Sequence, residues 1–556
     1  MKNTLFYGDN LDVMRRYIAD ETVDLVYLDP PFNSNADYNV LFAEHSGDRA
    51  AAQIKAFEDT WTWNVESRRA FEEIVEQAGP VSETMQALYQ ALGASDMMAY
   101  LAMMAPRLVE MNRVLKPTGS LYLHCDPTAS HYLKLLLDSI FGKENYRNEI
   151  TWKRTNAHNF KSKAFPRVHD ILFFYAKGPN YYYRQLFGNF SAAQLDRYEV
   201  DVETGRLFTG QDMTIIGGDA TEWRGTRPSG PRGWGNSLQE RERLWATELV
   251  LKRKDGSPRL DGRKVWLDEK EGVPISDVWT DIPRIANTSS ERLGYPTQKP
   301  EALLDRIIEA STLPGQIVFD PFCGCGTTIA AAQRLGRPWI GIDITHLAIS
   351  LIKHRLQEQF GSQIASTYRV IGEPVSLPDA ERLAAEEPFQ FQAWALGLVG
   401  ARTAQSAKKG ADKGIDGNIY FHDDPRGKVK RIILSVKGGE NVNSGMVRDL
   451  VGTVTREKAD LGVMVTFAKP TKAMEKEAIE AGFYNSPMGG KHPKVQIFTI
   501  EELLAGKGID YPTRSQRADL TFRKARRIAS EVQELPLSAF IAPGATLDPE
   551  DGEEAE

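Results

Sequence analysis

The chain reads as an α/β protein built on a mostly parallel sheet, with a second, smaller α/β unit behind it. Three observations predict this. Apolar runs of strand length, at 3–6, 23–28, 119–124, 317–319 and 339–343, alternate with helix-length patterns, as βαβ units require. Several of these runs end in an acid: Asp29 and Asp320 are each followed at once by proline, and Asp343 closes a third. The length, 556 residues, exceeds the roughly 100 to 200 of a single domain.

In chain order, the strand at 3–6 leads into Tyr7-Gly8-Asp9-Asn10, and the strand at 23–28 into Asp29-Pro30-Pro31-Phe32. Residues 37–95 carry mixed helical signal and look inserted. A helix is expected over 97–115. Lys116-Pro117-Thr118-Gly119 should stop it and turn the chain, since proline cannot continue a helix and glycine tolerates the reversal. From 186 to 290 periodicity gives way to Gly, Pro, Trp and Arg, which predicts a loop-rich module. Regular patterning resumes at 300 and fades near 370. Residues 372–388, rich in Pro, Glu and Ala, read as a linker, 389–506 as a second domain, and 507–556 as a tail with a basic stretch at 523–527 and an acidic end.

Composition excludes several classes. With 42% hydrophobic and 26% charged residues, and no run of about 18 apolar residues, a membrane span is not expected. MKNTLFYGDN lacks the apolar segment of an export signal, which predicts a cytoplasmic protein. Three cysteines cannot build a disulfide framework, and Cys323 and Cys325 lack a second pair to complete a zinc site. The net charge is −7, yet 147–184 hold eight Lys or Arg against two acids and 222–264 eleven against six, whereas the last eleven residues hold six acids and no base. An acidic mean with local basic stretches fits selective contact with nucleic acid better than indiscriminate coating.

Two motifs carry chemistry. Asp320-Pro321-Phe322-Cys323-Gly324-Cys325-Gly326 is a strand end, a glycine turn and the start of a helix, which places a ligand at the carboxyl edge of a parallel sheet. Asp343, about 20 residues on at the next strand end, suits ribose hydroxyls; a helix cap is its alternative reading. The loop lacks the third glycine of a pyrophosphate cradle, so a ligand without a pyrophosphate fits better. Asp29-Pro30-Pro31-Phe32 offers a carboxylate and a stiffened main-chain carbonyl as preorganised acceptors, the arrangement needed to draw hydrogen bonds from an exocyclic NH₂ and raise lone-pair density on its nitrogen. Phe32 could stack on a base flipped from the duplex.

Taken together these motifs resemble the β group of amino DNA methyltransferases, in which the catalytic motif precedes the donor loop and the target-recognition region lies between. The resemblance covers residues 1–371 and implies a Rossmann-like fold that uses S-adenosylmethionine. It implies catalytic roles for Asp29, Pro30, Pro31 and Phe32. Asp9, Thr297 and Lys299 would enclose the donor, with Asp343 on its ribose and Asp320, Phe322, Gly324 and Gly326 around its methionine part. Residues 186–290 become the target-recognition insert on double-stranded DNA. An aspartate at the first motif position is commoner among adenine-N6 enzymes than cytosine-N4 enzymes, so adenine is expected, with cytosine N4 as the alternative. Cytosine C5 chemistry is disfavoured, because it needs a thiolate in a Pro-Cys setting.

Residues 389–506 resemble Mrr-like nucleases of the PD-(D/E)xK superfamily through Gly414-Ile415-Asp416-Gly417 and the apolar strand ending in Lys437. The resemblance implies that Asp416 binds Mg²⁺ and that Lys437, with the position of Ser435, helps activate water. Two departures bear on this: Ser435 stands where the family has Glu or Gln, and Gln390 or Gln392 where a glutamate often helps bind metal. With one clear carboxylate, Mg²⁺ would be weakly held unless Asp412 assists. DNA cleavage and a degenerate fold kept for DNA binding both remain open. The expected setting is restriction-modification or host defence, with a homodimer and further restriction subunits as compatible partners. The rival from another class is an inert DNA-binding protein that keeps both folds.

Overall fold

The largest sheet of the computed structural model is nine-stranded among the described residues, which are 3–31, 63–157, 163–286, 289, 291–293, 295, 297–404, 414–423, 429–439, 441–487 and 489–512. Across the sheet the strands run Val278–Trp279, Tyr146–Lys153, His169–Ala176, Leu115–Cys125, Val23–Leu28, Val318–Asp320, Trp339–Asp343, Asn3–Tyr7 and Tyr368–Ile371. The six from Leu115–Cys125 to Tyr368–Ile371 are parallel, and His169–Ala176 runs against both of its neighbours.

Every residue of Val23–Leu28 is buried, because helices cover both faces. Val26 and Leu28 pack with the helix Asp96–Val114 and with Val65–Glu76, Pro80–Leu92 and Ser130–Phe141; Leu25 and Tyr27 face Glu301–Ser311. Asp24 is the exception in this apolar strand. Its buried carboxylate accepts from Lys116 Nζ at 2.8 Å and from the Ile317 N–H at 2.8 Å, so the charge is paired.

Two expectations are corrected. Lys116-Pro117-Thr118-Gly119 does not separate a helix from a strand: the strand begins at Leu115, directly after the helix. Val23 pairs with Leu115 and Leu25 with Ser120, so the proline-containing segment bulges out of one ladder. The segment 372–388 contains a helix, Leu377–Glu386, capped by Ser376, with Ala380 buried among the C-terminal core residues. Phe32, Asp412, the 523–527 stretch and the acidic tail lie outside the described residues.

Residues 199–266, within the expected insert 186–290, form a small unit of their own, whereas Val278–Trp279 joins the large sheet and Trp279 and Ile282 pack into its core. A four-stranded antiparallel sheet contains Pro258–Trp266 and Leu207–Gln211, and Met213, Trp223, Trp234, Leu244 and Val250 make a separate core. The C-terminal unit is a five-stranded mixed sheet in the order Arg402–Thr403, Gly417–Phe421, Lys430–Lys437, Leu461–Thr466, Val495–Thr499. Its helix Pro388–Leu398 lies against His346–Phe360: the His346 N–H donates to Gln390 Oε1 at 3.2 Å, and a Cβ at Gly397 would stand 2.5 Å from Ser350 Oγ. No helix among the described residues is long and apolar enough to cross a membrane.

Candidate active site

Val318–Asp320 and Val23–Leu28 are adjacent parallel strands, paired at Val318 with Leu25 and Phe319 with Val26. The chain leaves the first toward Trp339–Asp343 on one side and the second toward Leu115–Cys125 on the other. Loops that diverge from neighbouring strand ends open a crevice, the usual ligand site of an open parallel sheet. The Asp29-Pro30-Pro31 turn and the 320–326 loop are those two loops, although nearly three hundred residues separate them in sequence.

The glycine loop is tightly built. The Gly326 N–H donates to Cys323 O at 2.7 Å, and the Gly324 N–H to Asp343 Oδ2 at 2.9 Å. Gly326 has φ +73°, and a Cβ there would lie 2.7 Å from Ile352. Asp343 Oδ1 accepts from the Thr345 N–H at 2.9 Å and its hydroxyl at 2.8 Å, so this acid ties the loop to the next helix. The Tyr7-Gly8-Asp9-Asn10 segment closes the same edge: the Gly8 N–H donates to Asp343 O at 3.0 Å and Asn10 Nδ2 to Pro321 O at 2.9 Å.

Burial pushes the Asp320 carboxyl up to about 7; the charges of Asp29 and Asp343 add to the effect, while hydrogen bonds from Thr328 and the Phe322 N–H oppose it. Burial likewise pushes Asp343 up to about 6. Buried Asp320 and half-buried Asp343, bonded among the described residues only to hydroxyls and backbone N–H groups, fit a ligand that brings a sulfonium and an ammonium, as S-adenosylmethionine does.

The remaining expected residues fall into three groups. Lys299 is bonded to the Asp-Pro-Pro turn: its ammonium donates to Asp29 Oδ2, with side-chain exposures of 14% and 16%. Asp9 is committed structurally, since Oδ1 accepts from the Leu11 N–H at 2.8 Å at the start of the helix Asn10–Tyr17 and Oδ2 pairs with Arg107. Thr297 is exposed. Cys125 is buried at its strand end, and burial drives its thiol well above the usual range, the wrong direction for a thiolate nucleophile.

Sequence reasoning missed the residues that brace the site from behind. Arg355, almost fully buried, donates through Nη1 to Cys325 O and Thr327 Oγ1, both at 3.1 Å, and through Nη2 to Glu301 Oε1 at 2.6 Å. Gln359 adds a 2.7 Å bond to the same Glu301 oxygen. The available signal was an arginine and a glutamine four residues apart on a helix face otherwise filled by Ile352 and Leu356.

In the C-terminal unit the Asp416 carboxylate is already bonded on both oxygens among the described residues. Asp416 Oδ1 accepts from Gln392 Nε2 and Oδ2 from the Val436 N–H, both at 2.6 Å. A side-chain amide thus presents donors where a metal site needs acceptors. Ser435 is buried and brings no carboxylate, Lys437 is half-buried at the strand end, and Gln390 faces His346. Among the described residues no group of three or more His, Cys, Asp or Glu is placed to hold a metal ion. Of the two readings left open by the sequence, cleavage and a degenerate fold, the described residues offer no support for Mg²⁺-dependent cleavage.

A switch-point crevice with a donor-type glycine loop on one wall and an Asp-Pro-Pro turn on the other defines a methyltransferase acting on amino groups. Residues 23–354 match the family model described as DNA methylase, of the N6/N4 type, and the chain belongs to that family of S-adenosylmethionine-dependent DNA methyltransferases. The type II methyltransferase M.EcaI of Enterobacter cloacae is 27% identical over 363 residues, covering 64% of this chain and 69% of the relative. The type III restriction-modification enzyme StyLTI Mod subunit of Salmonella typhimurium strain LT2 is 26% identical over 362 residues, covering 60% of this chain but only 50% of the relative. The DNA adenine methyltransferase YhdJ of Escherichia coli K12 shares 51% identity over 112 residues, 19% of this chain and 37% of that protein. Residues 389–505 match the model described as NACHT-associated inactive Restriction Endonuclease 1, a restriction-endonuclease-like family whose description agrees with the occupied Asp416. The match shows a restriction-endonuclease-like unit and leaves the finer Mrr-like assignment unconfirmed.

Proposed function

We propose that the chain methylates adenine N6 within a specific sequence of double-stranded DNA. The observation that carries this reading is the meeting of the Asp29-Pro30-Pro31 turn and the 320–326 loop at paired parallel strand ends. A base flipped from the stack presents its amino group to the Asp29 carboxylate and the Pro30 carbonyl. Both accept hydrogen bonds, which localises the nitrogen lone pair for attack. S-adenosylmethionine, when bound, supplies the electrophilic methyl group. Asp343 accepts from the ribose hydroxyls, since each carboxylate oxygen has acceptor capacity beyond its present bonds. Asp320, Phe322, Gly324 and Gly326 surround the methionine part, Asp9 shapes the crevice through its helix cap and Arg107, and Thr297 lies at the rim. Phe32 stacks on the base.

Adenine is favoured by the aspartate that opens the motif and by the similarity to a relative named as an adenine methyltransferase. Residues 186–290 read the target, with Arg and Lys on phosphates and a few polar side chains on base edges. The names of the type II and type III relatives support a restriction-modification or host-defence setting, and the Mod subunit among them fits further subunits as partners. A cytoplasmic place and a homodimer belong to the same reading without support from those names. The C-terminal domain binds DNA without cutting it.

The test is mass spectrometry of nucleosides from mixed-sequence DNA incubated with the protein and methyl-labelled donor, with Asp29→Ala as control. Labelled N6-methyladenine supports the reading. N4-methylcytosine would overturn the base assignment, and no label on diverse DNA would return the chain to an inert binding protein.

A further inference from the structure

We propose that Lys299 is a positioning residue for the catalytic carboxylate and not a wall of the donor pocket; this rests on the methyltransferase reading above. Its ammonium is bonded to Asp29 Oδ2 across 270 positions of sequence, and both side chains are largely withdrawn from solvent. Its aim is built into the backbone on either side. Gln298 Oε1 accepts from the Leu293 N–H at 2.8 Å, and Gln298 Nε2 donates to Glu291 O at 2.7 Å. The Glu301 N–H donates to Glu291 Oε1 at 2.6 Å, while the Glu301 carboxylate is held by Arg355 and Gln359. A lysine has four side-chain torsions to fix; pinning its neighbours on both sides removes the backbone freedom that would otherwise let the ammonium wander.

The pairing has a chemical consequence. A carboxylate able to rotate about its Cβ–Cγ bond offers the base an average of acceptor directions. With Oδ2 held by Lys299, Oδ1 is the oxygen left to face the amino group, in one orientation. Lys299 is also the cation bonded into a cluster of acids in which Asp29 and Asp343 both act on Asp320. Removing it leaves Asp29 next to like charges with nothing to hold its plane.

The assignment predicts a split that a donor-wall lysine would not give. With the full chain, donor binding is measured by calorimetry with S-adenosylmethionine, and methyl transfer to mixed-sequence DNA by label incorporation at saturating donor. Lys299→Met should keep the donor dissociation constant within about twofold and lower kcat by about 100-fold, the scale of losing one preorganised electrostatic contact. Lys299→Arg, which keeps the cation, should recover part of kcat. In Asp29→Asn, adding Lys299→Met should cost little more, because the two act as a unit. A donor dissociation constant raised more than tenfold with kcat retained would overturn the proposal. So would equal losses from Lys299→Met with and without Asp29. If Lys299→Met does not fold, Lys299→Gln with the Arg variant reads the same split. A wild-type chain that transfers no methyl group would defeat the proposed function, and the donor-binding arm would still decide where Lys299 belongs.

Discussion

Donor affinity should depend steeply on pH just below neutrality, and the two strand-end acids set the window. Asp320 is pushed up to about 7 and Asp343 to about 6, both by burial. A cationic donor favours their ionised forms, so binding at lower pH must first remove protons. With Asp320 near 7, its ionised fraction is about 0.76 at pH 7.5 and about 0.09 at pH 6, an eightfold difference; Asp343 near 6 contributes about another twofold. Affinity for S-adenosylmethionine should therefore fall by about 10- to 20-fold from pH 7.5 to pH 6, a range in which the donor's own amino group stays mostly protonated. Calorimetry in two buffers of different ionisation enthalpy would reveal the released proton directly. Asp320→Asn should flatten the dependence to the twofold part left by Asp343, and S-adenosylhomocysteine, which lacks the sulfonium charge, should show a shallower slope. Equal affinity at pH 6 and 7.5, with no buffer dependence of the heat, would refute the argument.

Other outcomes follow from the same geometry. In the donor-free chain a raised carboxyl stabilises the fold fully below about pH 4 and loses that contribution as pH rises through 7; a shift from 3.8 to about 7 corresponds to about 4 kcal/mol, so Asp320→Asn should be the more stable protein at pH 8 by denaturant melting. Gly326→Ala should lower stability by about 2 to 4 kcal/mol, because it combines a left-handed φ with a 2.7 Å approach to Ile352, and should weaken donor binding in the same preparation. Asp29→Ala should abolish methyl transfer while binding the donor normally; lost donor binding would place Asp29 in the pocket instead. Plasmid incubated with the full chain and Mg²⁺ should stay supercoiled, and nicking abolished by Asp416→Ala would reverse the reading of the C-terminal domain.

The strands that carry the site were legible because both of their faces are buried. A strand such as Val23–Leu28 then reads as one apolar run ended by its functional acid, with no alternation to decode. The 116–119 segment misled because proline and glycine signal a turn equally well when they form a bulge. The helix Leu377–Glu386 carries ordinary start signals in Ser376 and Pro378, which a Pro-, Glu- and Ala-rich linker composition masks. The place of Lys299 at the donor is implied by the family resemblance, and its bond to Asp29 is invisible from either end of a 270-residue separation. At Asp416 the motif could be read but not its partner, because the amide of Gln392 that bonds it comes from a helix outside the motif.

The pairing of Val318 with Leu25 has a consequence for how the protein is made. During synthesis the buried strand Val23–Leu28 emerges long before its neighbour, and one side of it stays an open, apolar edge until some three hundred further residues have left the ribosome. Non-local parallel pairing is slow, and an unpaired edge of this kind invites misassociation. The crevice between the two loops is thus incomplete until Val318–Asp320 has been made and paired. The same topology suggests that two separately expressed pieces, divided within 186–290, could reconstitute the crevice by completing that one strand pair.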